Sequence, residues 1–300
     1  MRQNPLGGSE LAVSAVGLGC NNFGGRLDRA GTRAVIDAAL DAGITFLDTA
    51  DVYGAGGASE RLIGEALEGR RDRVVLATKF GMGESGGEPR GSRAYARRAL
   101  EASLERLRTD RVDLFYYHQP DGLTPLAETI GALGELADEG RILAFGVSNL
   151  DAAQLREAIA AGDPRLAALQ NEYSLLERGP ERELLPLCRE HGVGFVPYFP
   201  LARGLLSGKF RRGEPPPAGT RLAGRPELLT DRVFDRLEAL EAFATERGHT
   251  LLELAIAGLA SQPGVASVIA GAMSPEQVAA NAAAAAWELG SDDLAALARL

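Results

Sequence analysis

One pattern constrains this chain more than any other. A short apolar or β-branched run is followed by a longer amphipathic stretch, and the pair recurs about eight times. The strand-like runs fall at 13–18, 45–47, 74–78, 112–117, 143–147, 168–170, 194–198 and 265–269. Helical spacing of apolar residues marks 32–42, 59–67, 93–107, 125–139, 151–160, 180–191, a longer region 228–260, and 275–286. Thr32, Ser59, Asp151 and Ser274, the last followed by Pro275, are expected helix N-caps. Gly43, Gly140 and Gly192 stand where helices should end. Strands that are apolar on both faces belong to a parallel sheet covered on both sides. Eight such units in 300 residues favour an α/β chain closed into a (β/α)8 barrel, with an open doubly wound sheet as the alternative. No linker divides 1–300, so one barrel domain is expected. The Gly- and Pro-rich pieces 81–91 and 211–226 then become long loops after strands, on the face where barrels place their active sites.

Composition narrows the function classes. Lys plus Arg number 32 against 41 Asp plus Glu, a net charge of −9, which gives no electrostatic reason to bind nucleic acid or an anionic membrane. The only cysteines, Cys20 and Cys188, cannot build a disulfide framework or a thiolate metal cluster, so no metal is expected and a reducing cytoplasm fits. Glu10 and two glycines break the only stretch that could serve as a secretion signal, and 254–275 reads as helix, turn and buried strand rather than a membrane span. Gly81, Gly83 and Gly86 spell G-x-G-x-x-G, the bare dinucleotide fingerprint. That motif needs a helix opening at once, and Gly87, Pro89 and Gly91 delay any helix to about Ser92; a flexible loop is the better reading.

Polar residues at the C-terminal ends of barrel strands read as catalytic. Asp48, Tyr53, Lys79 and His118 stand at or just beyond the ends of the second, third and fourth runs. Singly each has a bland explanation: a turn cap, rim packing, a surface charge, a structural histidine. Together they form equipment for moving a proton to an oxygen. A tyrosine with a pKa of ~10 is a poor acid near neutrality, and a neighbouring ammonium lowers that value. A shift of ~2 units corresponds to ~2.7 kcal/mol, within reach of one desolvated charge. A carboxylate would hold the ammonium in place, and the histidine would orient a substrate oxygen.

The order of these residues, with the segments around them, resembles the aldo-keto reductase superfamily. The resemblance runs nearly end to end. Its carriers are Gly17-Leu18-Gly19, Phe46–Gly54, Ala77-Thr78-Lys79, Asp113–His118, Gly146-Val147-Ser148-Asn149, Leu169–Ser174, Pro200–Lys209, and Ile269–Ala272 with Gln277 and Asn281. It implies a catalytic tetrad of Asp48, Tyr53, Lys79 and His118, with Tyr53 the general acid in reduction. It implies that Ser148, Asn149 and Gln170, with Asp48 nearby, hold the nicotinamide carboxamide while Tyr198 stacks on the ring. Cys20 and Asn21 would line the nicotinamide side. Phe199, Pro200, Leu201, Gly204, Ser207, Lys209 and Arg221 would cover the pyrophosphate, and Gly271, Met273, Gln277 and Asn281 would meet the adenosine. The cofactor implied is NADP(H). NAD(H) stays open, because 271–277 carries no cation for a 2′-phosphate and Glu276 would repel one. Phe199 also stands where the family usually has serine.

The function this implies is an NAD(P)H-dependent reductase of aldehydes or ketones, or the reverse oxidation of an alcohol or sugar. Two alternatives remain: a cofactor-binding regulatory module like potassium-channel beta subunits, and an aldolase-like enzyme using Lys79 as a Schiff base. The specificity loops 21–26, 80–91, 119–124 and 211–224 contain no aromatic cage, so an open pocket for a small polar or sugar-like carbonyl is expected. Trp287 is expected to pack a C-terminal helix, and self-association is left open.

Overall fold

A computed structural model describes residues 1–83 and 87–300. The chain opens with a short antiparallel hairpin, β1 (Gln3–Pro5) and β2 (Ala12–Ser14). Eight parallel strands then close into a barrel: β3 (Val16–Gly19), β4 (Phe46–Asp48), β5 (Val75–Phe80), β6 (Val112–Tyr117), β7 (Ile142–Ser148), β8 (Leu166–Glu172), β9 (Gly194–Tyr198) and β10 (Val268–Gly271). They lie in chain order, and β10 pairs with both β9 and β3 to complete the ring. The hairpin covers the N-terminal mouth: Leu6 and Val13 are fully buried against the interior cluster. The outer layer is α1 (Arg29–Asp41), α2 (Ala58–Ala66), α3 (Arg93–Leu107), α4 (Leu126–Asp138), α5 (Ala152–Ala160), α6 (Leu184–Glu190), α7 (Asp231–Glu246), α8 (Leu251–Ala260), α9 (Pro275–Ala284) and α10 (Ser291–Leu297). Among the described residues no helix is long and apolar enough to cross a membrane.

The period-two geometry of strands divides the core. Phe46, Ala77, Leu114, Tyr116, Ala144, Ala168, Val196 and Ile269 fill the barrel interior. Leu47, Leu76, Phe115, Phe145, Leu169 and Phe195 point outward beneath the helices. Each large apolar side chain so buried contributes roughly 1.5–3 kcal/mol. Glycine makes the interior packing possible. A Cβ at Gly17 would stand 2.6 Å from Ile269 Cδ1 and 2.9 Å from Phe46 Cδ1, and one at Gly146 would strike the Tyr116 ring.

Several boundaries differ from the expected ones for identifiable reasons. The first run divides at Ala15, since 12–14 pairs with the hairpin and 16–19 with the barrel. Helix α1 begins earlier, capped by the Asp28 carboxylate, and Thr32 is buried inside it. Gly57, not Ser59, precedes α2; the Ser59 hydroxyl is used instead on Cys20 O and Thr49 Oγ1. The region 228–260 breaks at Thr250, whose capping box with Glu253 starts a new helix. Asp151 and Ser274 do cap α5 and α9. After β5, Gly81 and Gly83 have left-handed backbone and the next helix waits for its Ser92 cap; Gly86 lies outside the described residues.

Candidate active site

The same parity that fills the barrel builds its C-terminal mouth. Asp48, Lys79, His118, Gln170 and Tyr198 each stand two residues beyond an inward-facing core residue: Phe46, Ala77, Tyr116, Ala168 and Val196. Ser148 follows Gly146 in the same way.

Asp48 and Lys79 form a buried ion pair with Nζ 2.5 Å from Oδ2, and Lys79 is fully enclosed. Nζ also donates to Thr49 O at 2.9 Å, and Gln170 Nε2 donates to Asp48 Oδ1 at 3.0 Å. Both carboxylate oxygens are therefore engaged. The ammonium lies 5.1 Å from the centre of the Tyr53 ring. Tyr53 and His118 meet edge to face, their ring centres 5.8 Å apart. His118 Nδ1 is buried with no hydrogen-bond partner among the described residues.

Burial and charge assign the protonation states. Burial works against the Lys79 ammonium, yet Asp48 and the Tyr53 phenol outweigh it and hold its pKa above the ordinary lysine value. Burial, then the Lys79 charge, brings His118 down to about 3, so the imidazole is neutral at physiological pH. Tyr53 differs from the sequence-based expectation. The Lys79 ammonium does pull its pKa down, but burial is the larger effect and the net displacement is upward. The phenol is thus a held proton donor rather than a standing phenolate.

A second network continues from the first. Ser148 Oγ donates to Gln170 O at 2.7 Å. Asn149 sits in left-handed backbone (φ 60°) and donates through Nδ2 to His118 O (2.9 Å) and Ser148 Oγ (3.1 Å). Tyr198 Oη donates to Asn149 Oδ1 at 2.7 Å, which fixes the half-buried Tyr198 ring at the rim. Gln170, Ser148, Asn149 and Tyr198 are therefore joined to Asp48 by continuous hydrogen bonding.

Beyond Tyr198 the backbone turns left-handed at Phe199, Ala202, Arg203, Gly204 and Gly208. Non-glycine residues rarely hold that conformation, and clusters of it mark functional loops. Pro200 is buried, Leu201, Gly204 and Ser207 are half-buried, and Lys209 is exposed. The guanidiniums of Arg203 and Arg221 lie 5.3 and 5.5 Å from the Phe199 ring centre. Arg26 reaches the same place, donating to Gly219 O at 3.0 Å, while Arg221 contacts Asn22 Oδ1 at 3.4 Å. Burial, then repulsion from Arg26 and Arg203, draws the Arg221 pKa down. Among the described residues the carboxylate paired with this group is Glu172, 3.7 Å from Arg203. Such under-neutralised positive charge beside turned backbone suits phosphate. Sequence reasoning named Arg221 but not Arg26 or Arg203; no periodicity marks them.

At the far end, Gly271 lies exposed beside Asn21 and Asn22, and Asn281 is buried on α9. Gln277 Oε1 accepts from Met273 N at 2.9 Å, and Ser274 caps the helix. Cys20 is different. Its side chain is sealed in the barrel–helix layer with Phe23, its thiol donates to Leu18 O, and burial pushes its pKa up. It offers the mouth no surface, whereas Asn21 is exposed. Trp287 stacks on His249, ring centres 3.9 Å apart, and packs against the core.

A closed parallel barrel with a Lys–Asp pair, tyrosine and histidine at its C-terminal mouth, next to a turned, arginine-bearing loop, defines a class of barrel reductases. The family model described as "Aldo/keto reductase family" matches residues 15–300, and the chain belongs to that family. A relative from Arabidopsis thaliana, described as "Probable voltage-gated potassium channel subunit beta", is 37% identical over 94% of this chain and 90% of its own length. Among solved structures, aldo-keto reductase AKR11C1 from Bacillus halodurans (holo form) is 35% identical with a TM-score of 0.84, covering 100% of this chain and 96% of that one. An aldo/keto reductase from Klebsiella pneumoniae in complex with NADP and acetate is 34% identical with a TM-score of 0.78, covering 100% and 95%.

Proposed function

We propose that this chain reduces aldehydes or ketones with a nicotinamide cofactor, or runs the reverse oxidation, with Tyr53 as the general acid. The observation that carries the reading is the fully enclosed Lys79–Asp48 pair set against Tyr53 and His118. A bound reduced nicotinamide supplies the hydride that the carbonyl carbon accepts. The residues supply the rest. Tyr53 gives its proton to the carbonyl oxygen. The phenolate left behind is stabilised by the Lys79 ammonium, by about 3 kcal/mol for unit charges ~5 Å apart at an effective dielectric near 20. That interaction grows as charge develops, so it lowers the barrier rather than the ground state. Asp48 keeps the ammonium charged and aimed. Neutral His118 hydrogen-bonds the substrate oxygen and orients it.

The residues fit the cofactor. Ser148, Asn149 and Gln170 would hold the carboxamide, and Tyr198 would stack on the ring. The loop from Phe199 to Lys209, with Arg221, would take the pyrophosphate, while Gly271, Met273, Gln277 and Asn281 would meet the adenosine. Arg221, in contact with Asn22 beside Gly271, is the cation directed toward the adenosine end that 271–277 itself lacks, which favours NADP(H) over NAD(H). The Schiff-base alternative is disfavoured, because a lysine nucleophile needs a depressed pKa and Lys79 has a raised one. The regulatory alternative is disfavoured by the complete proton-transfer cluster.

The test is a fluorescence titration with NADPH and NADH side by side, followed by turnover on a panel of small polar and sugar-like carbonyls. Micromolar binding and turnover that Tyr53→Phe abolishes are expected. Failure of both cofactors to bind removes the assignment. Binding without turnover favours the regulatory module.

A further inference from the structure

The strand-end cluster leaves one half-buried acid unused. Asp51 stands two residues before Tyr53, in the turn between β4 and α2. Its backbone N–H donates to Lys79 O at 3.1 Å, so the turn is stitched to β5 at the catalytic lysine. Its carboxyl lies in the direction of another acid. Glu60, fully buried on α2, accepts from Thr78 Oγ1 and from Arg106 Nε, each at 2.5 Å. Arg106 Nη2 donates to Ser103 Oγ at 3.2 Å. Asp51 Oδ1 is buried with no partner among the described residues.

The loop between Asp51 and α2 rests on this arrangement. Gly57 has left-handed backbone and packs so tightly on Arg106 that a Cβ there would stand 2.5 Å from Nε. Arg106 is in turn oriented by Glu60. The groups facing Asp51 are Glu60 on α2, Arg106 and Tyr95 on α3, Lys79 on β5, and the Val52 N–H of its own turn. Lys79 is committed to Asp48. One arginine, already engaged by Glu60, is left to balance a second carboxylate.

We propose that Asp51 is a positioning residue for Tyr53: as a neutral carboxyl it lets the Tyr53 loop sit on the Glu60–Arg106 pair, and on ionising it competes with Glu60 for Arg106 and unseats that loop. This rests on the reductase reading for its catalytic consequence, but not for its structural one. Burial first, then the Glu60 charge, raises Asp51 to about 7, with Arg106, the Val52 N–H and Lys79 opposing. The acid is neutral below that pH and charged above it, so the seated loop belongs to the acidic side. At the catalytic mouth itself His118 is drawn down to about 3 and Tyr53 is pushed up, so neither supplies this step.

Two readouts test this on the whole enzyme. The first is kcat for carbonyl reduction from pH 5.5 to 8.5. Wild type is expected to step down several-fold through about pH 7, Asp51→Asn to show no step, and Glu60→Gln to move the step to lower pH by freeing Arg106. The second is hydrogen exchange of the amides in 51–57. After correction for intrinsic base catalysis, protection is expected to fall across the same pH range in wild type but not in Asp51→Asn. A step that persists unchanged in Asp51→Asn overturns the proposal, as does exchange in 51–57 that is independent of pH in wild type. If no carbonyl is turned over, the reductase reading fails, and the exchange experiment still decides the role of Asp51.

Discussion

The Asp48–Lys79 pair is the most consequential interaction in the molecule, and its energetics can be separated from its chemistry. Lys79→Met strands Asp48 Oδ2 in an enclosed site, with only Gln170 still donating to Oδ1, and removes the donor to Thr49 O. Breaking a buried pair from one side costs about 3–5 kcal/mol. Asp48→Asn leaves an enclosed ammonium without its counter-charge and is expected to cost a similar amount. The two losses do not add. In the double variant no charge is buried, the amide introduced at position 48 can still accept from Gln170, and the remaining deficit is the unpaired Thr49 carbonyl, about 1–3 kcal/mol. The expected coupling is therefore about 4 kcal/mol or more, with the double variant more stable than either single one. Urea unfolding of the four proteins at pH 7 measures it; at about 2 °C per kcal/mol, thermal midpoints should show the single variants lowered by about 6–10 °C. If a single variant fails to fold while the double one folds, the sign is the same. Losses that add to within about 1 kcal/mol would refute the reasoning. The double variant should also be inactive, because the charge removed to restore stability is the one that stabilises the phenolate.

Tyr53→Phe should lower kcat about a hundred- to ten-thousand-fold, with nicotinamide binding retained in the same fluorescence titration. His118 makes stability depend on acid. Its pKa of about 3 when folded lies below the unfolded value of about 6.5, so the unfolded chain binds the extra proton and stability falls as pH drops between them. The slope is at most about 1.4 kcal/mol per pH unit, and unfolding free energies from urea titrations between pH 6.5 and 4 should depend on pH less steeply in His118→Gln by up to that amount. Gly146→Ala forces a methyl into the Tyr116 ring and should cost about 1–3 kcal/mol in urea unfolding. Arg221→Ala should weaken NADPH binding more than NADH binding in parallel titrations; equal losses would assign Arg221 to the shared pyrophosphate.

The inward face of the barrel was legible from sequence to the extent that strand parity was. The apolar runs ending in Asp48, Lys79, His118 and Gln170 alternate inward and outward positions, so once a barrel is assumed their polar last residues must face the mouth. The resemblance, not parity, places Cys20 at the nicotinamide side, and the structure turns it away. The run 13–18 is apolar almost throughout, and nothing in it reveals that pairing breaks at Ala15, which sets the barrel register of β3 and turns Cys20 outward. Cap assignments failed for two reasons: the Ser59 hydroxyl serves Thr49 and Cys20 O, and Asp28 starts α1 a turn early, leaving Thr32 buried inside it. The convergence of Arg203 and Arg221 on Phe199, with Arg26 held on Gly219 O beside them, joins loops far apart in the chain, so only closure of the barrel could reveal it. The direction of the Tyr53 shift was hidden for a related reason. A sequence can place an ammonium near a phenol, but whether that outweighs burial depends on how completely β5, the Tyr53 loop and the histidine seal the site. Here they seal it well enough that Tyr53 keeps its proton, and the ammonium acts on the phenolate only as the proton leaves.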